Sequence, residues 1–144
     1  MDFDGRIKRS KLGGFSFWIM EKALLFVGLG GGVGSIARYL ISATLTRWLP
    51  GLFPWGTFVV NVAGCLLIGL LMGSLAKQQV LDEQNFKLLL VTGFCGGFTT
   101  FSAFAWENVK LIQSGEIPTA LVYVGVSLVT SLLAVGLGVA CVKP

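Results

Sequence analysis

Residues 93–104 read GFCGGFTTFSAF, from Gly93 to Phe104, inside an otherwise apolar run that begins with KLLLV at Lys87 and continues through Ala105 and Trp106. The run is long enough to cross a bilayer, which takes about 20 residues of α-helix. Yet this stretch carries three glycines and two adjacent threonines, all weak helix formers. In hydrocarbon every freed backbone group must find a partner, so an unwound segment survives only inside protein or beside a polar cavity. We therefore predict a break at Gly96-Gly97. Such a break frees carbonyls that can bind a cation, and it leaves a helix N-terminus at mid-membrane, which favours an anion. Phe101 and Phe104 lie one turn apart, and a ring presents a positive edge that can meet a small anion without a fixed cation. The competing reading is that the glycines serve close packing and the rings face lipid.

Working outward, the composition places the whole chain in a bilayer. Its 144 residues are 54% hydrophobic and only 12% charged, far from a soluble globular domain. The absence of histidine excludes His-based metal sites, general bases and proton relays together. Without a nucleophile–base pair an enzyme is not expected. The net charge of +4 sits mostly in tails and loops, with no basic stripe interleaved with aromatics, so nucleic acid is not an expected partner. Cys65, Cys95 and Cys141 show no CxxC spacing and read as buried small hydrophobes.

Four apolar runs divide the chain into about Ala23–Thr46, Thr57–Ala76, Leu88–Ile112 and Thr119–Val142. The turn-forming, tryptophan-rich loop WLPGLFPWG, the polar loop KQQVLDEQNFK and the turn SGEIP join them. The expected fold is all-α: four transmembrane helices in one domain over 20–144, the third helix broken. Residues 1–19 are polar, basic and glycine-containing, and we expect a disordered or non-native extension. With that tail, the positive-inside rule puts the termini in the cytoplasm; from Met20 onward the charge bias is slight, which permits insertion in both orientations.

Polar groups at membrane depth are costly and normally face protein or water. Arg38 falls inside span one, either capping neighbouring carbonyls or attracting anions to a vestibule. Gly28 with Gly32, Gly30 with Gly34, and Gly69 with Gly73 form GxxxG pairs that permit close helix approach. Thr57, Asn61 and Gly64 share one face of span two. The Asn61 amide offers two donors, for an interhelical bond or for an ion path. Tyr123, Ser127 and Ser131 recur every four residues on span four, so their hydroxyls make either a polar track or local back-bonds. Glu107 is a proton carrier, a carboxylate at a mouth, or a surface partner of Lys110 at i+3.

GGVGSIARY (31–39), GTFVVNVAG (56–64) and GFCGGFTTFSAF, in that order on four spans, resemble the Fluc, or CrcB, fluoride channels. The resemblance runs from about Met20 to the end. It implies a bacterial inner-membrane protein that forms an antiparallel, dual-topology homodimer with two fluoride pores. It further implies a central structural sodium ion on the Gly96 and Thr99 carbonyls of both subunits. Phe101 and Phe104 match the family's paired pore phenylalanines, and Asn61 its pore-facing amide, with Thr57 on the same face. Tyr123, Ser127 and Ser131 match its hydroxyl track, Glu107 its third-helix carboxylate and Arg38 its first-helix arginine.

Neutral donors suit a small, strongly hydrated anion, which must exchange water for comparable partners without being trapped. Passive, selective fluoride export is the expected function. The alternatives are a proton-coupled small multidrug-type antiporter using Glu107, and a non-transporting scaffold assembled through the glycine faces.

Overall fold

A computed structural model describes residues 3–75 and 82–142. Among them it contains helices and no strand. These are α1 (Phe3–Trp48), α2 (Trp55–Leu75), α3 (Glu83–Phe86), a π-helical segment (Lys87–Cys95), α4 (Gly96–Phe98), α5 (Phe101–Gln113) and α6 (Ile117–Val142). Four stretches are long and apolar enough to cross a membrane: Met20–Trp48, Trp55–Leu75, Glu83–Gln113 and Ile117–Val142. The chain is an all-α, multi-pass membrane protein. The expected end of span two at Ala76, the loop residues up to 81, and Lys143 and Pro144 fall outside the described residues.

Two differences from the sequence reading stand out. First, α1 begins at Phe3, well ahead of the expected start of span one at about Ala23. Residues 3–19 contain no proline to stop a helix, and the membrane-crossing part starts at Met20. Second, the third span does not open at Gly96-Gly97. Those residues are helical in α4, and the extended residues are Thr99 (φ −86°, ψ 159°) and Thr100 (φ −151°, ψ 115°).

The glycines serve packing instead. α1 packs chiefly on the π-helical segment and α4, and α2 chiefly on α6. A Cβ on Gly30 would strike the Leu89 carbonyl and the Phe94 amide; one on Gly34, the Phe94 carbonyl; one on Gly97, the Gly31 backbone. Backbone thus lies on backbone along this seam, which only residues without side chains allow. The same holds where Gly69 crosses Gly138 between α2 and α6. Of the overlapping pairs, Gly30 and Gly34 face the third span, whereas nothing lies within 4 Å of a Cβ on Gly28 or Gly32.

The reversal after α5 is closed by Gly115 at φ +82°, a left-handed conformation that favours glycine. The Gly115 amide bonds the Ile112 carbonyl and the Glu116 amide bonds the Leu111 carbonyl, the paired bonds of a Schellman ending. This short turn lays α6 antiparallel on α5, so Tyr123 meets Leu111, Ala120, Phe104 and Phe53 in a small core.

Candidate functional site

The break is held open by a side chain. In a continuous helix the Thr100 amide would donate to the Gly96 carbonyl. Here it donates to Asn61 Oδ1 at 2.8 Å, and Asn61 Nδ2 donates to the Thr100 carbonyl at 3.1 Å. The planar amide of α2 thus takes both backbone groups of Thr100 and offers them the geometry of a paired strand. One residue earlier the Thr99 side chain fills the gap above Gly64, where a Cβ would meet its methyl group. The Thr99 hydroxyl donates to the Cys95 carbonyl at 2.9 Å.

Thr100 then restarts the helix. Its Oγ1 accepts from the Ala103 amide at 3.2 Å, an N-cap for α5. The Ala103 amide would otherwise bond the Thr99 carbonyl. The carbonyls of Gly96 and Thr99 have therefore both lost the donors that a continuous helix would supply. These are the two carbonyls that the family resemblance implies for a cation, whereas reading the glycines alone places the break three residues too early. The Gly97 carbonyl has lost its helical donor as well, but accepts instead from Arg38 Nε at 3.1 Å and Ser35 Oγ at 3.4 Å. Arg38 thus does cap a neighbouring carbonyl, and it also lines a cavity of about 430 Å³ with Ser42, Arg47, Thr57, Thr100 and Glu107.

Glu107 is engaged on both oxygens. Thr57 Oγ1 donates to Oε1 at 2.6 Å and the Tyr123 hydroxyl donates to Oε2 at 2.8 Å. One carboxylate thereby ties α2, α5 and α6 together. The surface pair with Lys110 does not form; the Lys110 ammonium lies 5.3 Å from the centre of the Trp106 ring.

A second cavity, about 260 Å³, lies beside the break. Asn61, Gly64, Cys65, Thr99 and Thr100 line one side, Phe101 and Phe104 another, and Ser127 and Ser131 a third. The Phe101 and Phe104 rings are 5.7 Å apart, and Phe104 lies 4.9 Å from Tyr123. In the single chain Phe101 is 78% exposed. Ser127 is buried, yet its Oγ has no hydrogen-bond partner. It does not back-bond to its own helix, as isolated membrane serines usually do, and it lines the cavity. Of the two readings left open for this stripe, the back-bond does not hold for Ser127.

Nine of the eleven residues singled out from sequence line one of these two cavities: Arg38, Thr57 and Glu107 the first, and Asn61, Thr99, Phe101, Phe104, Ser127 and Ser131 the second. Tyr123 is buried between them, bonded to Glu107 and packed on Phe104, and Gly96 is exposed at the break. The sequence reading missed Thr100, the residue on which the break turns. Its signal was a threonine immediately before a fresh helical run, an N-cap pattern masked by the neighbouring glycines. It also misread Cys65 as core: only Cys95 is buried, Cys65 is half-buried against the cavity, and Cys141 is exposed.

The profile of the CrcB-like protein family (camphor resistance, CrcB) matches residues 25–139. The fluoride-specific ion channel FluC of Flavobacterium psychrophilum is 44% identical over 122 residues, covering 85% of this chain and 98% of the relative. Proteins of the same name from Azobacteroides pseudotrichonymphae and Paracoccus denitrificans are 44% and 50% identical. They cover 83% and 81% of this chain and 94% and 90% of their own lengths. The match takes in all four spans and both cavities, and the chain belongs to the CrcB-like family.

Proposed function

We propose that this chain is a passive, fluoride-selective channel of the bacterial inner membrane, carrying fluoride down its gradient and catalysing no reaction. The observation that carries the reading is the cavity at the break. It brings Asn61, Phe101, Phe104, Ser127 and Ser131 to one place at membrane depth. Fluoride needs donors of about the strength of water but none that traps it. The lining residues are neutral, Asn61 with the second N–H of its amide, Ser127 and Ser131, and the rings of Phe101 and Phe104, with no lysine or arginine. Arg38 and Arg47 stand in the neighbouring cavity, where a positive field gathers anions without binding them in the narrow part. The names of the relatives point to the same ion.

Two finer features belong to the same proposal. The Gly96 and Thr99 carbonyls fit sodium, a hard cation served by unwound backbone oxygens. A single chain offers it two oxygens, and a second copy inverted across the membrane would offer two more. Sodium there would neutralise the carbonyl dipoles and pin the two breaks together. That copy would also cover Phe101 and the α1 face at Gly28 and Gly32. Each dimer would then hold two pores, one beside each break.

Glu107 weighs against a proton-coupled antiporter. Its two oxygens accept from Thr57 and Tyr123 and so join α2 and α6 to α5, a structural engagement rather than a carboxylate standing free for exchange. The deciding experiment is fluoride against chloride efflux from liposomes containing this protein alone. Electrogenic fluoride flux with chloride excluded is expected, with most of it lost in Phe101→Ile while the protein still assembles. Flux that runs only on a proton gradient and carries no current would end the channel reading.

A further inference from the structure

We infer that Phe53, in the loop between α1 and α2, is a positioning residue for the fluoride path: its ring holds Tyr123 so that the Tyr123 hydroxyl stays on Glu107. The inference rests on the channel reading for its effect on flux, whereas its effect on the hydroxyl does not depend on what the chain carries.

Residues 49–54 read LPGLFP, with no polar side chain and two prolines that cannot donate a backbone hydrogen bond. Among the described residues, the backbone bonds of this loop reach only the adjoining turns. The Leu49 amide donates to the Leu45 carbonyl, the Trp55 amide to the Phe53 carbonyl and the Phe58 amide to the Pro54 carbonyl. The loop therefore meets α5 and α6 by packing alone, and the residue that does so is Phe53. Its half-buried ring lies on the small core of Leu111, Ala120 and Tyr123, whereas Leu52 beside it is exposed. The Phe53 and Tyr123 rings are 5.2 Å apart at 76°, and the Phe53 and Phe58 rings 5.5 Å apart at 73°. Such edge-to-face pairs favour particular ring orientations, which an aliphatic neighbour does not.

Tyr123 is fully buried, and its hydroxyl donates to Glu107 Oε2 at 2.8 Å. The hydroxyl sits at the end of a rigid ring, so whatever fixes the ring fixes the hydrogen bond. Glu107 in turn depends on that bond, because Thr57 is the partner of its other oxygen. With both hydroxyls in place the carboxylate is held by neutral donors. Without the Tyr123 hydroxyl one oxygen is released, and Glu107 lines the same cavity as Arg38 and Arg47. A loosened carboxylate there would offset the positive field and repel an entering anion. Phe53 thus acts on fluoride through Tyr123 and Glu107, without touching the ion.

The test uses the full chain in liposomes, with fluoride efflux measured for Phe53→Leu, Phe53→Tyr, Tyr123→Phe and the Phe53→Leu, Tyr123→Phe pair. Phe53→Leu is expected to lower flux about tenfold, the factor for one lost hydrogen bond to a charged group. Phe53→Tyr keeps the ring and is expected to keep the flux. In Tyr123→Phe the hydroxyl is already gone, so Phe53→Leu should cost nothing further. A ring that served only packing would cost the same factor in both backgrounds, which overturns the proposal, as does an equal loss in Phe53→Tyr and Phe53→Leu. A second readout needs no flux. The chain has two tyrosines, and Tyr39→Phe leaves Tyr123 alone. With carbon-13 at the tyrosine Cζ, its magnetic resonance signal reports the hydroxyl's hydrogen bond. Phe53→Leu is expected to move that signal towards its position in Glu107→Gln, and a signal that stays in place overturns the proposal. If Phe53→Leu does not fold, Phe53→Met is read in the same way. If the parent passes no fluoride while the signal moves, the positioning of Tyr123 stands and the channel reading has failed.

Discussion

The third span has two sides, and they treat its backbone in opposite ways. Toward α1, glycines at 30, 34, 93 and 97 remove side chains so that two backbones lie against each other. The helical bonds of the third span survive there. Toward α2, Asn61 reaches in and takes both backbone groups of Thr100, and the helix opens. Small residues make a tight seam, but they do not by themselves unwind a helix. Unwinding at membrane depth requires a competing partner for the groups it frees. On this chain the partner is an amide, whose donor and acceptor match those of a peptide unit.

Substitutions on the two sides should therefore fail differently. The largest effect is expected for Gly97→Val, whose side chain would enter the Gly31 backbone, which has no rotamer by which to retreat. A loss of about 3 kcal/mol or more is expected, seen as loss of monodisperse protein in detergent. A stable Gly97→Val protein would show that the α1 seam is looser than described.

Asn61→Leu comes next. It keeps the volume but leaves the Thr100 amide and carbonyl unpartnered, at about 1–3 kcal/mol for each orphaned group. Lower thermal stability together with loss of fluoride flux is expected. Unchanged stability would mean that the amide does not hold the break. The smallest effect belongs to Gly28→Ala, where nothing lies within 4 Å of the new methyl group. Within the chain, alanine should raise helix stability by up to about 1 kcal/mol. A marked loss of assembly instead would locate a second copy on that face of α1, sharpening the dimer proposal.

The comparison also explains what could be read in advance. Four spans follow from four long apolar runs, because the bilayer sets one length for all of them. The shared face of Thr57, Asn61 and Gly64 follows from helical spacing alone, and all three do face the third span. The position of the break does not follow in this way. Local propensity points to Gly96-Gly97, but propensity is worth about 1 kcal/mol per glycine. Leaving a backbone bond unmade in hydrocarbon costs several kcal/mol, so the location of a substitute partner outweighs it. Glu107 was open to three readings for the same reason: Lys110 is its neighbour in sequence, while Thr57 and Tyr123 are its neighbours only in space.

By itself, the order of residues determined that this chain crosses a membrane four times, that its third span is interrupted, and which neutral donors and rings stand near the interruption. These follow from period, length and composition, which act locally along the chain. Tertiary structure decided which backbone bonds are surrendered, which hydroxyl is left without a partner, and that Cys65 faces a cavity. Each depends on what a different helix places opposite, and that is settled by packing across the bundle.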